Sequence, residues 1–260
     1  MADWALILGA SSGFGEATSL ALAKAGFDIF GAHLDRRQTM HNVERITGQI
    51  KDMGRQAHFF NVNAGDPEKA AATLDEIQSL CGGEPVRVLL HSLAFGALKP
   101  LIADDPAAAL TVAQIEMTLN VMANSLVYWT QGLLQRKLMR DWGRIFAMTS
   151  GGSTRAIQSY GAVSAAKAAL EAYIRQLAVE LAPRGITANA IRAGVTETPA
   201  SRMIPESEML FAEARKKNPA KRLTTPPDVA SFITLMSRPE AYWVSGNVIN
   251  VDAGEEISGA

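Results

Sequence analysis

The sequence predicts a doubly wound α/β fold, with a mostly parallel seven-stranded sheet and helices on both faces. Short β-branched or aliphatic runs alternate with longer helical stretches from end to end, the pattern of strand–helix–strand crossovers. Several of the short runs are apolar nearly throughout, as parallel strands covered on both faces are. A glycine-rich turn, residues 9–15, stands between the first strand run and the first helical stretch.

In chain order, residues 5–8 read as a strand and 16–25 as a helix, with 28–33 and 40–53 as the second pair. The third pair is 57–61 and 66–80, and the fourth is strand 86–91 with one long helical stretch over 112–139. Strand 144–149 leads to a helix over 160–181, then strand 187–192, a helix over 227–237 and a last strand over 248–251. No repeat, low-complexity tract or polar linker interrupts the pattern, so residues 1–260 read as one domain. Two helices carry apolar residues on a common face: Tyr128, Trp129, Leu133 and Leu134 in one, Leu170, Tyr173, Ile174 and Leu177 in the other. Core packing and an interface between copies of the chain both account for them. Residues 199–225 are too long for an ordinary connection, and Met203 and Phe211 among charged neighbours there read as a lid over an apolar substrate.

The chain has 260 residues, 48% apolar and 20% charged. That is enough for a substantial core and excludes a disordered tail, a collagenous repeat and a coiled coil. Twenty-five basic residues against twenty-six acidic ones leave a net charge of −1, which argues against a dedicated binder of nucleic acid or anionic membrane. Cys81 is the only cysteine, so an intramolecular disulfide, a thiolate zinc cluster and a CxxC pair are excluded. No apolar run approaches the ~20 residues of a membrane helix. Asp3 and the early glycine turn do not read as a signal peptide, and the expected compartment is the cytoplasm.

The turn reads Gly9-Ala10-Ser11-Ser12-Gly13-Phe14-Gly15. A pyrophosphate needs backbone amides that approach without obstruction by Cβ, and glycine permits both that approach and the dihedrals of the turn. The following helix adds unpaired N–H groups and the positive end of its dipole, and Ser11 and Ser12 add hydroxyl donors. After a first strand and before a helix, this is the signature of a dinucleotide site on a Rossmann-type sheet.

With its G-x-x-x-G-x-G spacing, the chain resembles the short-chain dehydrogenase/reductase superfamily over residues 5–254. Asn61-Val62 stands where that family has an Asp-Val at adenine, and Asn120 matches its helix asparagine. Residues 189–198 resemble its N-x-x-x-P-G-x-x-x-T segment, with Ala193 in place of proline. The resemblance implies that Gly194, Val195, Thr196 and Thr198 bind the cofactor, Val195 and Thr198 at its carboxamide end. By alignment His33 decides between NADH and NADPH. No acid stands there, and Arg36 and Arg37 follow Asp35, so the expected cofactor is NADPH rather than NADH.

Most members of the superfamily space a tyrosine and a lysine Y-x-x-x-K, the lysine holding the nicotinamide ribose and lowering the tyrosine pKa. Here Tyr160 precedes Lys167 by seven residues, and Val163 stands at the four-residue position. The longer spacing resembles that of the enoyl-acyl-carrier-protein reductases. Seven residues return to within roughly 20° of the same helix face, about 10 Å along the axis. Such a displaced phenol suits an enoyl thioester, in which the hydride lands two bonds from the carbonyl carbon. His91-Ser92-Leu93-Ala94-Phe95 resembles the H-S-[IL]-[AG]-F segment of the same reductases. That places Ser92, Leu93 and Ala94 at the cofactor and Phe95 at the substrate, with no metal site. Ser150 replaces the second tyrosine of the best-known members, as in a serine-containing, NADPH-preferring branch; a hydrogen bond to the thioester and a turn-stabilising bond both remain open for it.

The resemblance therefore implies reduction of a trans-2-enoyl thioester in fatty-acid elongation, carried on acyl carrier protein. Tyr160, Lys167, Ser150 and Asn120 are the expected catalytic residues, and Tyr160, Phe95, Met203 and Phe211 the substrate contacts. A homo-oligomer, tetramer or dimer, is expected. The alternative is an NADPH-dependent carbonyl reductase, acting on a 3-oxoacyl, sugar or steroid substrate.

Overall fold

Alternation along the strands sends side chains into two separate cores. In β1 (Trp4–Leu8), Trp4, Leu6 and Leu8 enter one core while Ala5 and Ile7 enter the other, the period-two geometry of a strand covered on both faces. The computed structural model describes residues 3–258. The further strands are β2 (Asp28–His33), β3 (Ala57–Asn61), β4 (Val86–His91), β5 (Arg144–Thr149), β6 (Thr187–Ala193) and β7 (Val248–Val251). They form one seven-stranded sheet in the order β3-β2-β1-β4-β5-β6-β7, and every pairing is parallel. The order reverses between β1 and β4, so the crevice for a ligand opens at the carboxyl ends of those two strands.

On the Ala5/Ile7 side lie α1 (Gly13–Lys24), α2 (Met40–Asp52) and α8 (Pro226–Met236), through residues such as Leu22, Ile46 and Ile233. The opposite face is covered by α3 (Pro67–Leu80), α5 (Ser125–Gln135) and α6 (Gly161–Leu181). Trp129, Leu133, Leu170, Ile174 and Leu177 are all buried in that second core. The chain's own packing therefore occupies most of the face that sequence alone left open to a partner.

The long helical stretch does not run unbroken. It divides into α4 (Val112–Leu119), a π-helical turn (Asn120–Asn124) and α5. The wide turn has local support: the Ser125 hydroxyl donates to the Val121 carbonyl at 2.8 Å, and Tyr173 of α6 donates to Asn124 Oδ1 at 3.0 Å. Residues 199–225 contain a short 3-10 turn (Ser201–Met203) and α7 (Ser207–Lys217). Here one expectation is corrected. Phe211 does not present its ring to a substrate; it is 1% exposed and forms a small core with Ala214 and Leu223, against which Val195 packs. A segment this short has few apolar groups with which to hold itself together, and the largest is spent on that.

Trp129 ties α5 to the loop before α3, because its indole N–H donates to the Ala64 carbonyl at 2.8 Å in a fully buried setting. Trp129→Ala should destabilise the protein by about 3–5 kcal/mol, read as a lower urea midpoint. An unchanged midpoint would contradict this assignment.

Candidate active site

The glycine turn is built for close backbone approach. Gly9 has φ +88°, and a Cβ there would fall 2.4 Å from the Ser92 carbonyl oxygen at the end of β4. At Gly15 a Cβ would fall 2.0 Å from the Gly9 carbonyl oxygen. Ser12 is the N-cap of α1 and makes no side-chain capping bond, so the leading amides of that helix are left for another acceptor. Gly13 faces Thr198 across the turn. Phe14, in the first turn of α1, is partly buried against the core on that side of the sheet. A tight, amide-rich cradle at a sheet switch point fits the pyrophosphate of a dinucleotide.

The end of β2 differs from the sequence reading. His33 is buried, and its Nδ1 lies 3.0 Å from Asp35 Oδ2. Burial lowers the imidazole pKa against the pull of Asp35. Burial also opposes ionisation of Asp35, but hydrogen bonding by Ser11, Thr39 and His33 outweighs it and holds the carboxyl below its usual range. The group beside the glycine turn is therefore the Asp35 carboxylate, and His33 supports it from below. Asn61 closes the same corner: its Oδ1 accepts from the Asp35 amide at 3.1 Å and its Nδ2 donates to the Asp35 carbonyl at 2.9 Å. The Val62 amide donates to the His33 carbonyl at 2.7 Å. Arg36 and Arg37 are exposed.

Tyr160 and Lys167 meet the ends of β4 and β5. Lys167 is 4% exposed, and its Nζ donates to the carbonyls of Met148 at 2.8 Å and Leu93 at 3.3 Å. Burial brings this ammonium down to about 8, while the Glu171 carboxylate acts to raise it. Tyr160 caps α6, and its ring edge lies 2.7 Å from where a Cβ on Gly152 would stand. Ser150 Oγ is 3.3 Å from that same point and is buried without a partner in hydrogen-bond geometry among the described residues. Burial pushes the phenol pKa up, and the nearby Ser150 hydroxyl pulls the other way. Val163 is 3% exposed and turned into the core, 2.9 Å from the Cβ position of Gly96. The phenol and the aliphatic side chain have thus taken separate places, one at the site and one beneath it.

Around this pair, Asn120 is engaged elsewhere. Its Nδ2 donates to the Gly65 carbonyl at 2.6 Å, and its Oδ1 accepts from Tyr128 at 2.9 Å. In this structure it fixes the π-helical turn to the loop before α3. His91 is fully buried, with Nε2 2.8 Å from Ser125 Oγ. Because that hydroxyl already donates to Val121, Nε2 carries the proton. Burial, then the Lys167 charge, brings the imidazole down to about 3, so it is neutral at physiological pH.

Beyond β6, Thr198 Oγ1 accepts from the Ser201 amide at 3.1 Å, and Thr196 Oγ1 donates to the Gly194 carbonyl at 2.9 Å. The Val195 amide donates to Glu255 Oε1 at 3.0 Å. A cavity of about 500 Å³ has Leu101, Gly152, Ile157, Ser159, Gly161 and Ser164 in its wall; Tyr160 itself is not part of that wall. Phe95 and Met203 are 64% and 74% exposed. Sequence reasoning weighed Asp35 only as a neighbour of His33, and passed over Glu255, Glu171 and Arg192. Of those three only Glu171 had a local signal, its place four residues after Lys167.

A family model described as enoyl-(acyl carrier protein) reductase matches residues 9–256. The chain is similar to a 1-cyclohexenylcarbonyl-CoA reductase from Streptomyces collinus, with 26% identity over 97% of this chain and 86% of that one. It is also similar to the enoyl-acyl-carrier-protein reductase (NADH) FabI of a Nostoc species, with 30% identity over 83% and 81%. The 3-oxoacyl-acyl-carrier-protein reductase FabG of Pseudomonas aeruginosa is 28% identical over 98% and 97%. Among solved structures, a short-chain dehydrogenase from Burkholderia cenocepacia in complex with NADP superposes with a TM-score of 0.83 at 26% identity, covering 98% of each chain. Matched along nearly its whole length and built on the same parallel sheet, the chain belongs to the enoyl-(acyl carrier protein) reductase family of the short-chain dehydrogenase/reductase oxidoreductases.

Proposed function

We propose that the protein reduces the carbon–carbon double bond of a trans-2-enoyl thioester, carried on acyl carrier protein, with NADPH in preference to NADH. One observation carries the choice of reaction: Tyr160 stands beside Ser150 at the mouth of the site, while Val163 is buried in the core. A carbonyl reductase needs its proton donor where Val163 is, and an aliphatic side chain has no proton to give. The similarity to a cyclohexenylcarbonyl-CoA reductase and to a FabI supports the reading, and the similarity to a FabG is the reason to test it.

When bound, a reduced nicotinamide would supply a hydride to the β-carbon of the substrate, and the enolate so formed would take a proton from water at its α-carbon to complete saturation of the double bond. As the hydride arrives, negative charge develops on the thioester oxygen, where the Tyr160 hydroxyl donates a hydrogen bond and stabilises the enolate. The raised phenol pKa keeps that proton in place at neutral pH. Ser150, buried and unpartnered, is the second donor. Lys167 spends two of its three N–H bonds on Met148 and Leu93 and keeps the third for the ribose. The cavity lined by Leu101 and Ile157 receives the acyl chain, and residues 199–225, with Met203 at their exposed surface, close over it.

NADPH is favoured because the Asp35 carboxylate is engaged by His33 at 3.0 Å, while Arg36 and Arg37 are exposed at the same corner. A 2′-phosphate would find a guanidinium there.

The purified protein should oxidise NADPH with crotonyl thioester and not with acetoacetyl thioester; turnover of the ketone alone overturns the reading. Tyr160→Phe should lower kcat with the enoyl substrate by about 10²- to 10³-fold, with far less effect on KM. Arg36→Ala should cut kcat/KM for NADPH about tenfold, the scale of one charged hydrogen bond, and leave NADH nearly unaffected. Equal losses with both dinucleotides would remove the case for NADPH.

A further inference from the structure

Two neighbouring residues of β5 hold two successive turns of α6. The Met148 carbonyl accepts from Lys167 Nζ at 2.8 Å. The next residue, Thr149, donates through its hydroxyl to Glu171 Oε1 at 2.7 Å. Glu171 is nearly as buried as Lys167 and lies one helical turn beyond it, on the same face. The same carboxylate oxygen accepts from Arg192 Nη2 at 3.3 Å.

Arg192 carries the connection onward. Its Nη2 also donates to Ser153 Oγ at 3.0 Å, and that hydroxyl in turn donates to the Ser150 carbonyl at 3.0 Å. Ser150 and Gly152 are the residues against which the Tyr160 ring is placed. One buried carboxylate is therefore linked to the lysine by helical register and to the tyrosine's loop by an unbroken chain of hydrogen bonds.

We propose that Glu171 is a positioning residue for the reacting pair: it is the counter-charge of the buried Lys167 ammonium and, through Arg192 and Ser153, the anchor of the loop that carries Ser150. The inference rests on Tyr160 and Lys167 being the working pair, and it holds equally for reduction of a double bond or of a carbonyl.

The groups that face Lys167 set the sign of the effect. From β4 comes His91, neutral because its pKa lies at about 3, together with the Leu93 carbonyl. From β5 come the Met148 carbonyl and the Thr149 hydroxyl. On α6 itself, Tyr160 is protonated and Glu171 is the one anion. Across from Glu171 stand Arg192 of β6 and, 3.8 Å from Arg192, Glu256 after β7. Glu171 therefore favours the ammonium, and Arg192 moderates it.

The test is to follow the Lys167 side chain by NMR in the full-length protein with isotopically labelled lysine, its signal assigned with Lys167→Arg. The wild-type midpoint should lie near 8. Glu171→Gln should lower it by about one pH unit, a tenfold loss of proton affinity, and Glu171→Asp should restore part of the shift. Arg192→Met, which leaves the carboxylate and removes its competitor, should raise the midpoint. Opposite signs are expected from a counter-charge; a packing role would not produce them. An unchanged midpoint in Glu171→Gln, or shifts of the same sign in both variants, overturns the proposal, and Arg192→Met keeps it testable if Glu171→Gln does not fold. In turnover, the alkaline limb of the pH profile should move to lower pH in Glu171→Gln, because activity is lost as Lys167 deprotonates. Absence of turnover on any thioester would sink the enoyl reading and leave the NMR result to decide this one.

Discussion

Lys167 places a positive charge where water scarcely reaches, and an isolated ammonium in such a position costs several kcal/mol unless its donors are met. The fold meets them with backbone. Parallel strands point their last carbonyls toward one edge of the sheet, and Nζ reaches two of these acceptors, at Met148 and just past β4 at Leu93. This requires α6 to lie across β4 and β5 at one particular register. The residues buried along its inner face, Val163, Ala166, Leu170, Ile174 and Leu177, set that register by packing. The chemistry of the site thus depends on a helix being located by its apolar side.

Once α6 is in place, the positions of the other groups follow. Residue 163 points into the core near Gly96, where the aliphatic Val163 brings no polar group that needs a partner. Residue 160, at the cap, meets the loop after β5 instead. The π-helical turn between α4 and α5 accommodates the neighbouring helix: Asn124 receives Tyr173 of α6, and Asn120 reaches back to Gly65. A continuous α-helix over residues 112–139 would place these two amides differently. The irregularity is thus coupled to the same register.

Features legible in the sequence were those whose cause is local. Each strand appeared because its apolar run is short and bounded, and the structure moves their limits by a residue at most. The glycine turn was legible because backbone crowding at Gly9 and Gly15 leaves no alternative residue, and the spacing of Tyr160 and Lys167 because it is a property of one helix. What escaped depends on distant partners. Phe211 looks the same in a lid and in a miniature core until Leu223 and Val195 are seen beside it. His33 was placed at the deciding corner by alignment alone; its burial beneath Asp35 follows from the pairing of β2 with β3 and the turn that Asn61 fixes. Glu171 and Arg192 come together across α6 and β6, a separation of 21 residues that no periodicity encodes.

The similarity to both enoyl and 3-oxoacyl reductases along nearly the full chain is what this architecture leads one to expect. A dinucleotide cradle, a ribose-holding lysine and a parallel sheet serve hydride transfer to either kind of acceptor, so residues that maintain them carry no information about which acceptor is used. Discrimination falls to the few side chains that meet the substrate oxygen. Moving a phenol from position 163 to position 160 carries the donor most of a helical turn, about 4.5 Å, along the axis, toward an oxygen that lies further from the hydride-accepting carbon in a conjugated thioester than in a ketone. Overall identity averages over the parts that do not differ between the two reactions. The burial of Val163 and the placement of Tyr160 beside Ser150 bear directly on the part that does, and the proposed reduction of a double bond rests on them.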